Sequence, residues 1–170
     1  MMLVHEHAVV KIRDDMPMAQ AALIGCGVTT GVGAVIHTAR VEAGSTVAVI
    51  GCGGIGLSAI NGAAIAGASR IIAVDMVASK LDLARKFGAT DVVDASSGDA
   101  VAEVIEMTGG GVHYSFEAIG LKATAEQAFQ MLRMGGTATV IGMIPPGQMV
   151  SLHGVDLSLI HISEPTRHLL

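Results

Sequence analysis

Aromatic residues are scarce in this chain, which has one Tyr, three Phe and no Trp among its 170 residues. Charge is scarce as well, because ten Lys and Arg face fifteen Asp and Glu, for a formal net charge of −5. Proteins that bind nucleic acids need clustered positive charge, and those that bind single strands also use aromatic rings. The sequence therefore predicts no nucleic-acid partner.

Cysteine is equally rare, since Cys26 and Cys52 are the only two. Two cysteines are too few for a disulfide scaffold, and no signal-peptide pattern precedes the apolar core, so we expect a cytoplasmic protein. Residues 45–68 contain no charge and are long enough to cross a membrane. They contain five glycines from Gly51 to Gly62 and a strand-turn-helix pattern, however, and we expect no membrane partner.

The remaining composition, 51% hydrophobic and rich in Ala, Val, Ile and Gly, is typical of an α/β protein. Apolar runs predict strands over residues 46–50, 70–75, 91–93, 112–116 and 137–141. Helical patterns lie between them, over residues 55–66, 79–87, 99–107 and 123–134. This alternation predicts a doubly wound parallel sheet of order 3-2-1-4-5 with right-handed crossovers, and no sixth strand is visible.

Three other segments fit this sheet less directly. Residues 2–13 alternate loosely and could form one or two strands. Residues 18–40 predict a helix that is interrupted near the glycines at 25–27 and 31–33. Residues 157–167 resemble the translation of a sequencing adapter, although an ordinary amphipathic tail is the alternative. We therefore divide the chain into residues 1–40, 41–156 and a non-native tail, 157–170.

A glycine-rich turn follows the first predicted strand of the sheet. Gly51 would allow a tight turn, Gly53 a close approach of the backbone to a pyrophosphate, and Gly56 close packing of helix on sheet. The N-terminus of the following helix offers free N–H groups to phosphate. With Asp75 at the end of the second strand, this pattern predicts a dinucleotide-binding βαβ unit.

Four ordered motifs strongly resemble the zinc-dependent, medium-chain alcohol dehydrogenases: residues 25–31 (GCGVTTG), 51–56 (GCGGIG), 75–89 and 116–120 (FEAIG). The resemblance extends from about His5 to Asp156. It implies a fragment that comprises the end of a GroES-like catalytic domain and most of a Rossmann domain. The implied activity of the parent is transfer of hydride from a primary or secondary alcohol to NAD, with zinc polarising the alcohol oxygen, in a homodimer or homotetramer.

The resemblance also implies roles for individual residues. Cys26 stands where the family has a ligand of the catalytic zinc, and Thr30 where a hydroxyl lies near the nicotinamide. Asp75 would accept hydrogen bonds from the adenosine ribose and repel a 2′-phosphate, which favours NAD over NADP, while Lys80 would reach the same ribose or a phosphate. The other expected cofactor residues are Gly51, Gly53, Gly54, Ile55, Gly56, Ala118, Ile119, Gly120, Ile141, Gly142 and Met143.

Structural alternatives exist for several of these residues. A lone cysteine is often a small buried hydrophobe, as we expect for Cys52. Asp75 could be an acid that turns into solvent, and Lys80 a solvated helix lysine. The remaining predictions concern histidines that lack metal-ligand spacing and are expected to make surface or polar contacts: His5, His7, His37, His113 and His153.

Several functions remain compatible with this sequence. The parent could oxidise a polyol, the amino alcohol threonine or a thiol adduct of formaldehyde. The chain could instead be a non-catalytic nucleotide-binding module, and a zinc-free quinone reductase is disfavoured by Cys26. Because one thiolate cannot hold a catalytic zinc, we expect this chain alone to bind nucleotide without catalysis.

Overall fold

A computed structural model describes residues 3–154 and 161–163 of the chain. Its strands are β1 (Thr46–Ile50), β2 (Arg70–Asp75), β3 (Asp91–Asp94), β4 (Val112–Glu117), β5 (Leu132–Val140) and β6 (His161–Ser163). Its main helices are α1 (Met18–Ala39), α2 (Gly54–Ile65), α3 (Ala78–Lys86), α4 (Ala100–Thr108) and α5 (Lys122–Gln130).

The strands form one sheet of order β3-β2-β1-β4-β5-β6, and every pair is parallel. The chain leaves β1 toward β2 on one side and later reaches β4 on the other, so the winding direction reverses beside β1. In open α/β sheets a ligand cleft forms at such a reversal, at the carboxyl ends of the strands. The predicted Rossmann-like fold class and the order of the first five strands are confirmed.

The core has two layers, one on each face of the sheet. In β1, Val47 and Val49 belong to one cluster, whereas Ala48 and Ile50 belong to the other. Both faces are buried, as expected for a parallel strand covered by helices on two sides. The apolar run of β1 thus supports both layers and fixes the strand that leads into the cleft.

The N-terminal strand prediction is wrong. Residues 3–13 are exposed, and their single regular element is a 3₁₀ turn at Glu6–Ala8. A loose alternation of apolar residues forms a strand only where a neighbouring strand accepts its hydrogen bonds. Among the described residues, no strand pairs with this segment.

Helix α1 is continuous, contrary to the predicted interruptions. Gly25 and Gly27 lie in a π-helical stretch at Ile24–Val28, and Gly31 and Gly33 belong to the α-helical stretch Thr29–Gly33. A second π-helical stretch, Ala34–Ala39, ends at Arg40, which adopts a left-handed conformation. By length and mean hydropathy (1.6), α1 is the one helix among the described residues that could cross a membrane. Residues 45–68 instead form β1 and α2.

Two corrections concern the end of the sheet. Helix α5 ends at Gln130 rather than residue 134, because Leu132 already pairs with Val112 as a strand residue. The sixth strand, which the sequence did not reveal, is present as three residues paired with β5 from Thr137 to Thr139. Strand β6 lies within the predicted non-native tail, and it covers the edge of β5 over these three residues. That the tail is non-native stays a prediction.

Candidate functional site

The turn between β1 and α2 requires glycine for two different reasons. Gly51 has φ +94°, and a Cβ there would lie 2.5 Å from Ile119 Cγ1. A Cβ on Gly56 would lie 1.7 Å from the Gly51 carbonyl oxygen. Helix α2 therefore starts directly against the end of β1, as the glycine spacing predicts. On the outer side of the turn, Gly53 and Gly54 face open space, so a ligand can reach their backbone.

The N-terminus of α2 has the character of an anion site. Gly53 is its N-cap, and no side chain caps the helix or places negative charge in its first turn. The first N–H groups of a helix have no acceptor within the helix, and the helix dipole adds partial positive charge there. A pyrophosphate group would supply the acceptors that the chain itself does not.

Asp75 is fastened to the glycine turn. Its Oδ2 accepts a hydrogen bond from the Cys52 N–H at 2.8 Å, and its Oδ1 accepts one from the Val77 N–H at 3.0 Å. Lys80 Nζ lies 3.8 Å from Oδ2. The Asp75 side chain is only 9% exposed, so it does not turn into solvent. Each carboxylate oxygen can accept a further hydrogen bond, so the acid is able to bind two hydroxyls while staying in place.

Cys52 is a packing residue, as predicted. It is 2% exposed and lies in the core beneath the turn. Burial, together with the negative charge of Asp75, raises the pKa of its thiol to about 12. Its side chain is therefore uncharged at neutral pH, and its contribution to the site is the N–H group that holds Asp75.

The ends of β4 and β5 form the other side of the cleft. A Cβ on Gly142 would lie 2.1 Å from the Gly120 nitrogen, and one on Gly120 would lie 2.6 Å from the Met143 carbonyl oxygen. The two loops are therefore in direct backbone contact. Ile119 and Met143 are 48% and 75% exposed, whereas Ala118 and Ile141 are half-buried.

Glu117, the last residue of β4, is a central residue that the sequence analysis missed. Its side chain is fully buried, and Oε1 accepts hydrogen bonds from the N–H groups of Ile119 and Gly120 and from Thr124 Oγ1. The available signal was its charge, at the end of a strand whose preceding residues, Ser115 and Phe116, are buried.

Cys26 and Thr30 lie on α1, beside the start of α2. Cys26 is exposed and, with Gly54 and Leu57, lines an apolar cavity of about 340 Å³. Thr30 is half-buried, and its neighbour Gly31 packs against Ile55. Across residues 3–154 and 161–163 no three His, Cys, Asp or Glu side chains cluster as metal ligands. A catalytic zinc needs three protein ligands, so these residues do not fit one by themselves.

His113 makes the polar contacts predicted for it. Its Nδ1 accepts a hydrogen bond from the Thr46 N–H at 3.1 Å and lies 2.8 Å from Thr46 Oγ1. Burial and the nearby Arg133 lower the pKa of its imidazole. This histidine joins the first residues of β1 and β4, at the opposite ends of the strands from the cleft.

Comparison with known proteins supports the fold and identifies the family. A Schizosaccharomyces pombe protein named "Probable S-(hydroxymethyl)glutathione dehydrogenase 1" is 49% identical over 148 residues, which cover 86% of this chain and 39% of the relative. Benzyl alcohol dehydrogenase from Acinetobacter calcoaceticus superposes with a TM-score of 0.87 at 37% identity, over 91% of this chain and 43% of that one. A Sinorhizobium meliloti protein described as a zinc-binding dehydrogenase, solved with NADP bound, has a TM-score of 0.78 at 31% identity, over 81% and 42%.

This chain thus spans about two fifths of the length of the relatives that it matches. The family model described as zinc-binding dehydrogenase matches residues 54–166, which is more than half of the chain. Together with the fold and the glycine turn, this match shows that the chain belongs to the zinc-binding dehydrogenase family.

Proposed function

We propose that this chain is the NAD-binding part of a zinc-dependent alcohol dehydrogenase. The observation that carries the proposal is the hydrogen bond from the Cys52 N–H to Asp75. It joins a carboxylate suited to ribose hydroxyls to a turn suited to phosphate. Two groups that a dinucleotide would contact at the same time are thereby held at a fixed separation.

The residues at the cleft form two groups, one for each half of NAD. The start of α2, at Gly53 and Gly54, would take the pyrophosphate, and Asp75 with Lys80 would take one ribose. The loops that follow β4 and β5 would take the second nucleoside, with Ile119 and Met143 as apolar contacts. When bound, NAD supplies the hydride acceptor of the reaction. The chain's own contribution is to bind it and to orient it.

The proposed preference for NAD over NADP depends on the charge of Asp75. A 2′-phosphate on the ribose would meet a carboxylate whose two oxygens are fixed by backbone N–H groups. Such like-charge repulsion lowers the affinity for the competing ligand and so adds to the specificity that favourable contacts give. Lys80 offers partial compensation only, because it lies 3.8 Å from the same carboxylate.

For the complete protein we propose oxidation of a primary or secondary alcohol to the aldehyde or ketone. Thr30 and Cys26 would face the reacting end of the cofactor, Thr30 with a hydroxyl and Cys26 as one of several zinc ligands. Among the described residues, Cys26 is the only one at the cleft that the resemblance assigns to zinc. One ligand does not hold a catalytic zinc, so this chain by itself supports no step at the metal. We propose that the parent is a cytoplasmic homodimer or homotetramer. In this chain, residues 1–40 would be the end of the catalytic domain and its connecting helix, residues 41–156 the NAD-binding domain, and residues 157–170 a non-native tail.

A second candidate substrate is an S-hydroxymethyl thiol, favoured by the name of the S. pombe relative and its 49% identity. Polyols and threonine remain alternatives from the same superfamily. No contact among the described residues distinguishes these substrates, so kinetics of the complete protein would decide between them.

Calorimetry of the 170-residue chain with NAD and NADP tests the cofactor proposal. We expect NAD to bind more tightly than NADP, and Asp75→Ala to weaken NAD binding by about 10- to 100-fold, the value of one or two charge-assisted hydrogen bonds. Asp82→Ala is the matched control, since Asp82 is exposed and bonds only to Arg85 on α3. Equal affinity for both cofactors, unchanged by Asp75→Ala, would contradict the proposal.

A further inference from the structure

Glu117 is a charged residue at a place where charge is costly. It ends a strand of the core, its side chain is fully buried, and Ser115 and Phe116 before it are buried too. A buried carboxylate is tolerated only when hydrogen bonds replace its lost hydration. The donors that Glu117 uses therefore indicate what the residue is for.

Those donors all belong to the segment that follows β4. Glu117 Oε1 accepts from the Ile119 N–H at 2.9 Å, the Gly120 N–H at 2.7 Å and Thr124 Oγ1 at 2.7 Å. One oxygen thus fixes the turn after the strand and the first turn of α5. Because three donors converge on this one oxygen, the turn is held firmly.

The loop after β5 is attached to the same residue. The main-chain carbonyl of Glu117 accepts hydrogen bonds from the Ile141 N–H at 2.8 Å and the Gly142 N–H at 3.1 Å. A Cβ on Gly142 would lie 2.6 Å from Glu117 Oε2. Position 142 therefore has room only for glycine, because the Gly120 backbone, 2.1 Å away, and the Glu117 carboxylate together occupy the space that a side chain would take.

The second oxygen makes no bond that would explain the residue by stability alone. Oε2 is buried and has no hydrogen-bond partner among the described residues. Leaving a buried acceptor unsatisfied is costly, because the group loses its hydrogen bonds to water without replacement. An apolar side chain would avoid this cost but would leave the N–H groups of Ile119 and Gly120 without their acceptor, so the fixed geometry of the turn is the evident benefit.

We propose that Glu117 is a positioning residue that holds the loops after β4 and β5 in the shape required by the second half of the dinucleotide. The inference rests on the proposed function, because a doubly wound sheet binds one mononucleotide on each side of its reversal point. Asp75 lies on the first side and Glu117 on the second. Ile119, which Glu117 holds, also lies against Gly51 in the turn proposed to bind pyrophosphate.

The test compares NAD with ADP, which has the adenosine and pyrophosphate but lacks the second nucleoside. In the full chain, we expect Glu117→Met to weaken NAD binding about tenfold while ADP affinity changes less than about twofold, because two backbone hydrogen bonds of the second half are lost. Glu117→Gln keeps an acceptor of the same shape and should retain NAD affinity within about threefold.

Two further variants separate positioning from general stability. Thr124→Val removes one donor to Oε1 and should give a smaller loss of NAD affinity. Ser115→Ala is the matched control, since Ser115 is equally buried but donates to the Ala128 carbonyl, away from both loops. It should leave the ratio of NAD to ADP affinity unchanged.

Hydrogen exchange gives an independent readout on the same proteins. In Glu117→Met, the amide hydrogens of Ile119 and Gly120 should exchange faster, whereas those in the middle of β4 should not. Unchanged exchange at both amides, NAD affinity equal to that of the native chain, or equal losses for NAD and ADP would each overturn the inference. If the native chain bound no NAD at all, the proposed function would fail first, and the exchange rates would still decide whether Glu117 holds the loops.

Discussion

The two cysteines show how differently one residue type behaves in two environments of this cleft. Cys52 lies under the glycine turn, where burial raises the pKa of its thiol to about 12. Cys26 is exposed on α1 and faces an apolar cavity. The reactive form of a cysteine is the thiolate, and a reagent must be able to reach it. Of the two sulfurs, that of Cys26 is the one accessible to solvent.

We therefore predict that iodoacetamide at pH 8 modifies Cys26 and leaves Cys52 intact in the folded chain. A thiol of pKa about 12 is ionised in only about one molecule in ten thousand at this pH, and its burial slows the reaction further. Peptide mass spectrometry should show Cys26 labelled at least about 100-fold faster. Both cysteines should react in denaturant.

The variant Cys26→Ser serves as the control for this experiment, because it removes the exposed thiol without changing the core. It should take up no label when folded. Rapid labelling of Cys52 in the folded protein would show that the turn opens to solvent, and the packing role given to Cys52 would then be wrong.

At the scale of elements, the contact between α1 and α2 includes a small residue, Gly31, that has no room for a side chain. A Cβ on Gly31 would lie 2.4 Å from the Ile55 carbonyl oxygen and 2.6 Å from Ser58 Cβ. The backbones of the two helices approach so closely there that one of them would have to move. This contact holds Cys26 and Thr30 beside the start of α2.

We predict that Gly31→Ala lowers the free energy of unfolding by about 2–3 kcal/mol, which is typical of an overpacked core. Gly33→Ala, two residues along the same helix, is the matched control, since a Cβ there meets nothing within 4 Å. It should raise stability by about 0.5–1 kcal/mol, because alanine favours helix over glycine. Urea unfolding measures both, and equal effects would contradict the close helix contact.

The central elements could be predicted because their signals are local. The apolar run of β1, the glycine turn and Asp75 each indicate the βαβ unit by themselves, and they agree. The errors occur where partners decide the structure. Residues 132–134 continue a helical pattern but pair with β4 through Leu132, and the glycines of α1 are retained within the helix.

The site was predicted less completely than the fold, and for a related reason. A resemblance of motifs indicated the residues on each side of the cleft, but not the bonds between them. The Cys52 N–H to Asp75 bond and the three bonds to Glu117 Oε1 arise from folding of segments distant in sequence or from turn geometry. Nothing in the letters around Glu117 distinguishes it from a solvated acid except the buried strand that it ends.

At the scale of the whole molecule, the two sides of the cleft differ in how many of the residues proposed for them this chain contains. The glycine turn, Asp75 and the loops after β4 and β5 all lie within residues 51–143. On the other side, α1 presents exposed apolar residues, including Leu23 and Val28, around the cavity that Cys26 lines. In the relatives, about three fifths of the length lies outside the matched region.

We predict that the 170-residue chain binds NAD but does not oxidise alcohols, with or without added zinc. Hydride transfer needs an alcohol activated next to the cofactor, and tetrahedral zinc needs three protein ligands with one open position. The described residues offer one thiolate at the cleft, Cys26, and no cluster that would complete a site. Absorbance at 340 nm should therefore stay constant with NAD, zinc and ethanol or benzyl alcohol, under conditions where calorimetry shows NAD bound. Steady formation of NADH that is abolished by Cys26→Ser would instead mean that the chain assembles a working metal centre. The inference that this chain binds the cofactor without catalysing the reaction would then be wrong.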